Sequence, residues 1–104
     1  MEKVNNTTVD EMGRIKIPQM ALRAEKWPKG AEFTLTRISK IAFLHLEPEN
    51  TGHETEQTQL DELGRFKISL DMRKALQWEI KDELFVYHLN GCIVMGKKDA
   101  TLLD

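Results

Sequence analysis

Cysteine is nearly absent from this chain. The single Cys92 among 104 residues cannot form an intramolecular disulfide, and such low usage suits a reducing compartment. Histidine is sparse too: His45, His53 and His88 are scattered without ligand spacing to one another or to Cys92, so no metal site is expected. There is no long apolar run. The longest, residues 41–46, is interrupted by His45 and falls far short of the roughly 20 residues a membrane-spanning helix needs. The opening "MEKVNNTTVD" lacks the apolar region of a secretion signal, so a cytoplasmic protein with no membrane partner is expected. A basic excess is also missing. Fifteen Lys and Arg face 17 Asp and Glu, for a net charge of −2, whereas generic nucleic-acid binders carry a positive surplus. Catalytic signatures are absent: there is no nucleophile–base arrangement and no pair of catalytic acids. Gly13 and Gly64 stand without the further glycines of a phosphate cradle. No enzyme activity and no cofactor are expected.

What is present describes an ordinary soluble domain. Hydrophobic residues at 40% and charged residues at 31% place the chain among globular rather than disordered proteins. The acidity is unevenly placed. Glu47, Glu49, Glu54 and Glu56 lie in one central stretch that contains no Lys or Arg, and without these four the remaining balance is 15 basic to 13 acidic.

The dominant feature is a repeat. Residues 10–17 read "DEMGRIKI" and residues 61–68 read "DELGRFKI", 51 positions apart. With no gap, that shift also aligns Thr7 with Thr58, Ala24 with Ala75, Trp27 with Trp78 and Glu32 with Glu83. Both tryptophans of the chain fall in register, which identifies a tandem duplication. The expected organisation is a first copy at 1–47, an acidic linker at 48–57 and a second copy at 58–104. Each copy, about fifty residues, is too small to bury an adequate core alone, so the two are expected to close on each other as one compact, pseudo-two-fold barrel.

The pattern within each copy predicts mostly short strands plus one short helix. The polar stretches "NNTTV" and "TEQTQL" are candidate first strands. The Asp-Glu-x-Gly-Arg segment reads as a tight reversal, with the aspartate accepting from nearby backbone N–H groups and the glycine supplying positive φ. "RIKI" and "RFKI" then alternate, so Ile15, Ile17, Phe66 and Ile68 point inward while Arg14, Lys16, Arg65 and Lys67 point outward. Pro18 and Ser69 mark helix starts by different means: a preset φ in the first turn, and a side-chain cap. The helices are expected over residues 19–26 and 70–77, with Met72, Ala75 and Leu76 sharing a face in the second. Trp27 and Trp78 end these helices as core anchors. A pair of strands follows each helix, joined in the second copy by Asn90-Gly91, a strong hairpin signal, and in the first by the poorer Ser39-Lys40.

The strings "VDEMGRIKIPQMALRAEKW" and "LDELGRFKISLDMRKALQW" resemble the AbrB/MazE/SpoVT family of DNA-binding domains, over residues 7–47 and 58–98. In that family two copies exchange hairpins, so the resemblance implies a swapped-hairpin β-barrel, mostly β with two short helices, assembled here within one chain. It implies double-stranded DNA as the partner and a transcriptional regulator as the function. It further implies DNA contact by the loop arginines, Arg14 and Arg65, and by the basic pair on the short helix, Arg73 with Lys74. In the first helix the matching pair is Leu22-Arg23, so only Arg23 carries over. Where family members carry basic residues just before the motif, this chain has Thr7-Thr8 and Thr58-Gln59.

Together with the outward Lys16 and Lys67, these side chains would meet phosphates from one side of the fold, while one or two arginines reach base edges. The second copy, which keeps both Arg73 and Lys74, is expected to contribute more. Two alternatives stand beside this reading. One is an antitoxin-like protein-interaction module, although the "DATLLD" that follows Lys98 is too short to wrap a toxin and disfavours that partner. The other is a relative that keeps the fold with weakened DNA binding. The sequence leaves open the operator and whether hairpins swap within one chain or between two chains of a homodimer.

Overall fold

The alternating and Gly-punctuated segments become strands and turns in the computed structural model, which describes residues 2–47 and 52–98. The first half runs β1 (Glu2–Thr8), β2 (Arg14–Lys16), α1 (Gln19–Ala24), β3 (Glu32–Ile38) and β4 (Ile41–His45). The second half repeats that order as β5 (Glu54–Gln59), β6 (Arg65–Lys67), α2 (Leu70–Leu76), β7 (Glu83–Leu89) and β8 (Cys92–Gly96). The protein is mostly β with two short helices, and the strand pairs are antiparallel. β5 begins at Glu54, so the last residues of the expected 48–57 linker are strand; residues 48–51 lie outside the described residues, as does the 99–104 tail.

The halves are interlaced. The larger sheet has the order β1-β7-β8-β4-β3-β5, which reads the same from either end when first-half and second-half strands are exchanged. β1 pairs with β7, Thr7 opposite Leu84, and β5 pairs with β3, Thr58 opposite Phe33. The first strand of each half therefore lies against the hairpin of the other. Both candidate strands at "NNTTV" and "TEQTQL" form because their pairing is supplied by the partner half. A second sheet contains only β2 and β6, with Ile15 opposite Phe66.

The expected barrel does not close. β2 and β6 are three residues each and pair with one another, and no ladder joins them to β1 or β5. Hydroxyls stand in that gap: Thr7 Oγ1 donates to the Lys16 carbonyl at 2.7 Å and Thr58 Oγ1 to the Lys67 carbonyl at 3.1 Å. An isolated bridge between Val9 and Ile15 adds one link.

The core lies between the two sheets and draws on both halves. Ile15, Ile17, Phe66 and Ile68 are buried, as the alternation requires. Phe66 of the second half meets Phe33 of the first edge-on, with centroids 5.2 Å apart, and Trp27 lies 4.9 Å from Phe33. Such aromatic pairs add roughly 0.5–1.5 kcal/mol beyond burial, and this cluster cannot form from one half.

Both helices end sooner than expected, and by the same device. Lys26 and Gln77, equivalent positions, take left-handed φ of 57° and 61°. The N–H of Trp27 then donates to the Leu22 carbonyl at 2.9 Å, and that of Trp78 to the Arg73 carbonyl at 3.0 Å. This is a Schellman closure, whose hydrophobic residue one step beyond the left-handed position packs back on the core. It explains why a tryptophan follows each helix. The starts differ: Ser69 Oγ accepts from Met72 N–H at 3.1 Å, while Pro18 sits at the capping position itself with no side-chain bond.

Candidate nucleic-acid interface

Each Asp-Glu-x-Gly-Arg loop is built around its aspartate. Asp10 Oδ1 accepts from the backbone N–H of Met12 at 2.9 Å and of Arg14 at 2.8 Å, and Oδ2 accepts from Arg14 Nε at 2.9 Å. Asp61 repeats this with Leu63, Arg65 and Arg65 Nε at 2.9, 2.9 and 2.7 Å. The backbone N–H of Arg14, above all, holds the Asp10 carboxyl below its ordinary value, and the N–H of Arg65 does the same for Asp61; a charge-assisted bond favours the ionised form. Gly13 and Gly64, at φ 75° and 78°, make the reversal. Their carbonyls link the halves: Ile17 N–H donates to Gly64 O at 2.9 Å and Ile68 N–H to Gly13 O at 3.5 Å.

The arginines are held through Nε and left about a third exposed, Arg14 at 34% and Arg65 at 29%. Among the described residues no hydrogen bond engages their terminal amino groups, so the aspartates orient each guanidinium without covering it.

The β2–β6 ribbon assembles four of the expected site residues. Arg14 stands opposite Lys67 and Lys16 opposite Arg65. With Ile15 and Phe66 buried beneath, all four cations share the outer face, with neighbours about 5 Å apart at Cβ. Like charges directly across a ladder are destabilising, and two internal carboxylates offset only part of that repulsion. The loop tips beside the ribbon carry Met12 and Leu63, 66% and 62% exposed, which the sequence reading did not single out. A shallow depression on the β1 side joins Asn6, Thr7 and Thr8 to Arg14, Lys16 and Arg65.

The helix cations are less unified. Arg23 is exposed on α1 and lines a groove with Lys16. Lys74 is exposed on α2, and Arg73 is half-buried, with Nη1 donating to the Trp78 carbonyl at 3.3 Å. No hydrogen bond or ion pair among the described residues joins Arg73 or Lys74 to the ribbon. Lys26 and Lys29 line the Arg23 groove and were missed by sequence reasoning; the available signal was a pair of cations bracketing an aromatic in "KWPK".

Two of the four acids of the central stretch have internal partners. Glu54 accepts from Arg37 Nε at 3.0 Å, and Glu56 accepts from Ser69 N–H at 2.9 Å and from the Ser69 hydroxyl. Among the described residues no cluster of His, Cys, Asp and Glu could hold a metal ion, and no helix is long and apolar enough to cross a membrane.

No protein-family model matches the chain, and no curated protein matches it. Among solved structures it is similar to PHS018 from Pyrococcus horikoshii, determined in solution, at 19% identity and a TM-score of 0.49, over 91% of this chain and 90% of that one.

Proposed function

We propose that the protein is a cytoplasmic, sequence-specific DNA-binding regulator of transcription, of the AbrB/SpoVT swapped-hairpin type, that meets duplex DNA with the β2–β6 ribbon. One observation carries this reading: four cations from the two halves share the outer face of a single two-stranded antiparallel ribbon. A fold gains nothing in stability from such crowding, whereas a polyanion placed over it relieves the repulsion. The major groove admits a two-stranded ribbon. Lys16 and Lys67 supply phosphate contacts, and the oriented guanidinium groups of Arg14 and Arg65 suit the paired acceptors of guanine. Met12 and Leu63 at the loop tips suit thymine methyl groups. The exchange of first strands between halves supports the swapped-hairpin assignment, with one chain providing the pseudo-dimer.

An overall charge of −2 does not oppose this, because four cations gather on the one outer face of the ribbon. The bonds of Glu54 and Glu56 leave these two acids less available to hold a partner, as the antitoxin-like alternative would need.

The test is fluorescence anisotropy with duplexes from the gene's own upstream region, from 50 to 200 mM salt. About six phosphate contacts give a slope of log affinity on log salt near −5, and replacing Lys16 and Lys67 by alanine lowers its magnitude by about 2. Arg14→Ala with Arg65→Ala removes sequence preference as well. Unchanged binding in the ribbon variants, or no duplex bound by the wild type at the lowest salt, rejects the reading.

A further inference from the structure

A groove crosses the boundary between the halves. One wall is α1 with the 26–30 segment that follows it; the other is the second half's 61–64 loop. Its cations are Lys16, Arg23, Lys26 and Lys29, and none of the four has an ion-pair partner among the described residues. Two acids face them, but both carboxylate oxygens of Asp61 are already engaged by its own loop, which leaves Glu62. The groove is therefore cationic in net effect. It is also apolar at its base, where Leu22, Leu60 and Trp27 contribute. Trp27 is 7% exposed, and its Nε1, like that of Trp78, is buried without a hydrogen-bond partner.

We infer that this groove binds a small anion with an apolar body, of the class of aromatic or branched-chain carboxylates. The carboxylate lies among the lysines, and the hydrocarbon lies on Leu22, Leu60 and the indole. The counterpart positions in the second half do not repeat the arrangement. Arg73 stands for Leu22, Gln77 for Lys26 and Ile80 for Lys29, and the Arg73 guanidinium is bonded to the Trp78 carbonyl. The arrangement is therefore not repeated across the pseudo-two-fold. Because the groove's far wall is the loop that presents Arg65, a bound carboxylate bears directly on that loop. The ligand site itself stands independently of the DNA reading.

The test is a titration of the full chain with phenylacetate, followed through the two tryptophan indole N–H resonances by NMR, with benzyl alcohol as the uncharged control. The Trp27 resonance moves and saturates, with a Kd on the order of 1 mM for a ligand of this size, while that of Trp78 stays in place. The double substitution Lys26→Gln with Lys29→Ile copies the second half on exposed or loop positions and weakens binding about tenfold. The inference is overturned if no saturable shift appears well above that concentration. It is equally overturned if benzyl alcohol binds as well as phenylacetate, or if the double variant binds unchanged.

Discussion

The two halves share a backbone and differ at the ends of their helices. Both have the aspartate-held arginine loop, the left-handed residue after the helix and the buried tryptophan beyond it. Yet α2 starts under a Ser69 cap that Glu56 also grips, while α1 starts at Pro18 without one. After α1, Glu25 reaches the other half's hairpin: its Oε2 lies 2.7 Å from His88 Nδ1, and its Oε1 accepts from Gly91 N–H. The matching residue is Leu76, the last of α2, which is buried. Arg37, the counterpart of His88, instead holds Glu54. Duplication thus keeps the frame symmetric while side chains make the ties between halves, and the charged surface, unequal. The expected greater weight of the second half rested on Arg73 and Lys74. With Arg73 engaged at Trp78 and Lys26 and Lys29 beside Arg23, the cationic surface leans toward the first half.

The shared core offers the largest test of that comparison. Phe66→Ala should cost about 3–5 kcal/mol, and Phe33→Ala a similar amount, each in one cooperative urea transition detected through both tryptophans. Two separate transitions would mean that the halves fold as separate bodies. On the surface, Arg23→Ala should weaken DNA binding about three- to tenfold and reduce the salt slope by about 1, with Arg73→Ala doing less; the reverse order would restore the second half as the main contributor. Ser69→Ala should destabilise by about 1 kcal/mol through loss of a cap, measured by denaturant melts, whereas Pro18→Ala should not lose a capping bond. Gln77→Gly should stabilise by roughly 0.5–1 kcal/mol, since glycine takes the left-handed position without strain, and thermal melts would record it.

The smallest expected difference concerns acid. Asp10 and Asp61 both have folded values below the ordinary 3.8. The stability they contribute is therefore complete above that value and is lost as pH falls through the lower folded ones. Amide exchange at Arg14 and Arg65 should accelerate together below that point. One loop loosening well before the other would show that the two clamps, so alike in geometry, are not equivalent.

Much of the site could be read from the residues. The alternation in "RIKI" and "RFKI" put four cations outside and four apolar side chains inside because a strand has period 2. What it could not supply was the pairing of β2 with β6, which turns two separate cationic strands into one face; that register joins residues 51 positions apart. Glu54 fell within the expected acidic linker, while Glu56 lay where that linker overlaps the candidate strand "TEQTQL". Their strand exists only through the neighbouring β3. The groove beside Trp27 left only the "KWPK" cations as a signal in the sequence, since its far wall comes from the other half.

By itself the sequence determined the element order, the loop chemistry of each Asp-Glu-x-Gly-Arg segment and the inward or outward sense of each short strand, because these depend on neighbours a few positions apart. Tertiary structure decided the rest: that first strands cross to the opposite hairpin, that the ladder stops short of closure, and that Arg73 turns to a carbonyl while Lys26 and Lys29 flank a groove. Those outcomes depend on which surfaces meet, and two nearly identical strings meet different neighbours once they pack against each other.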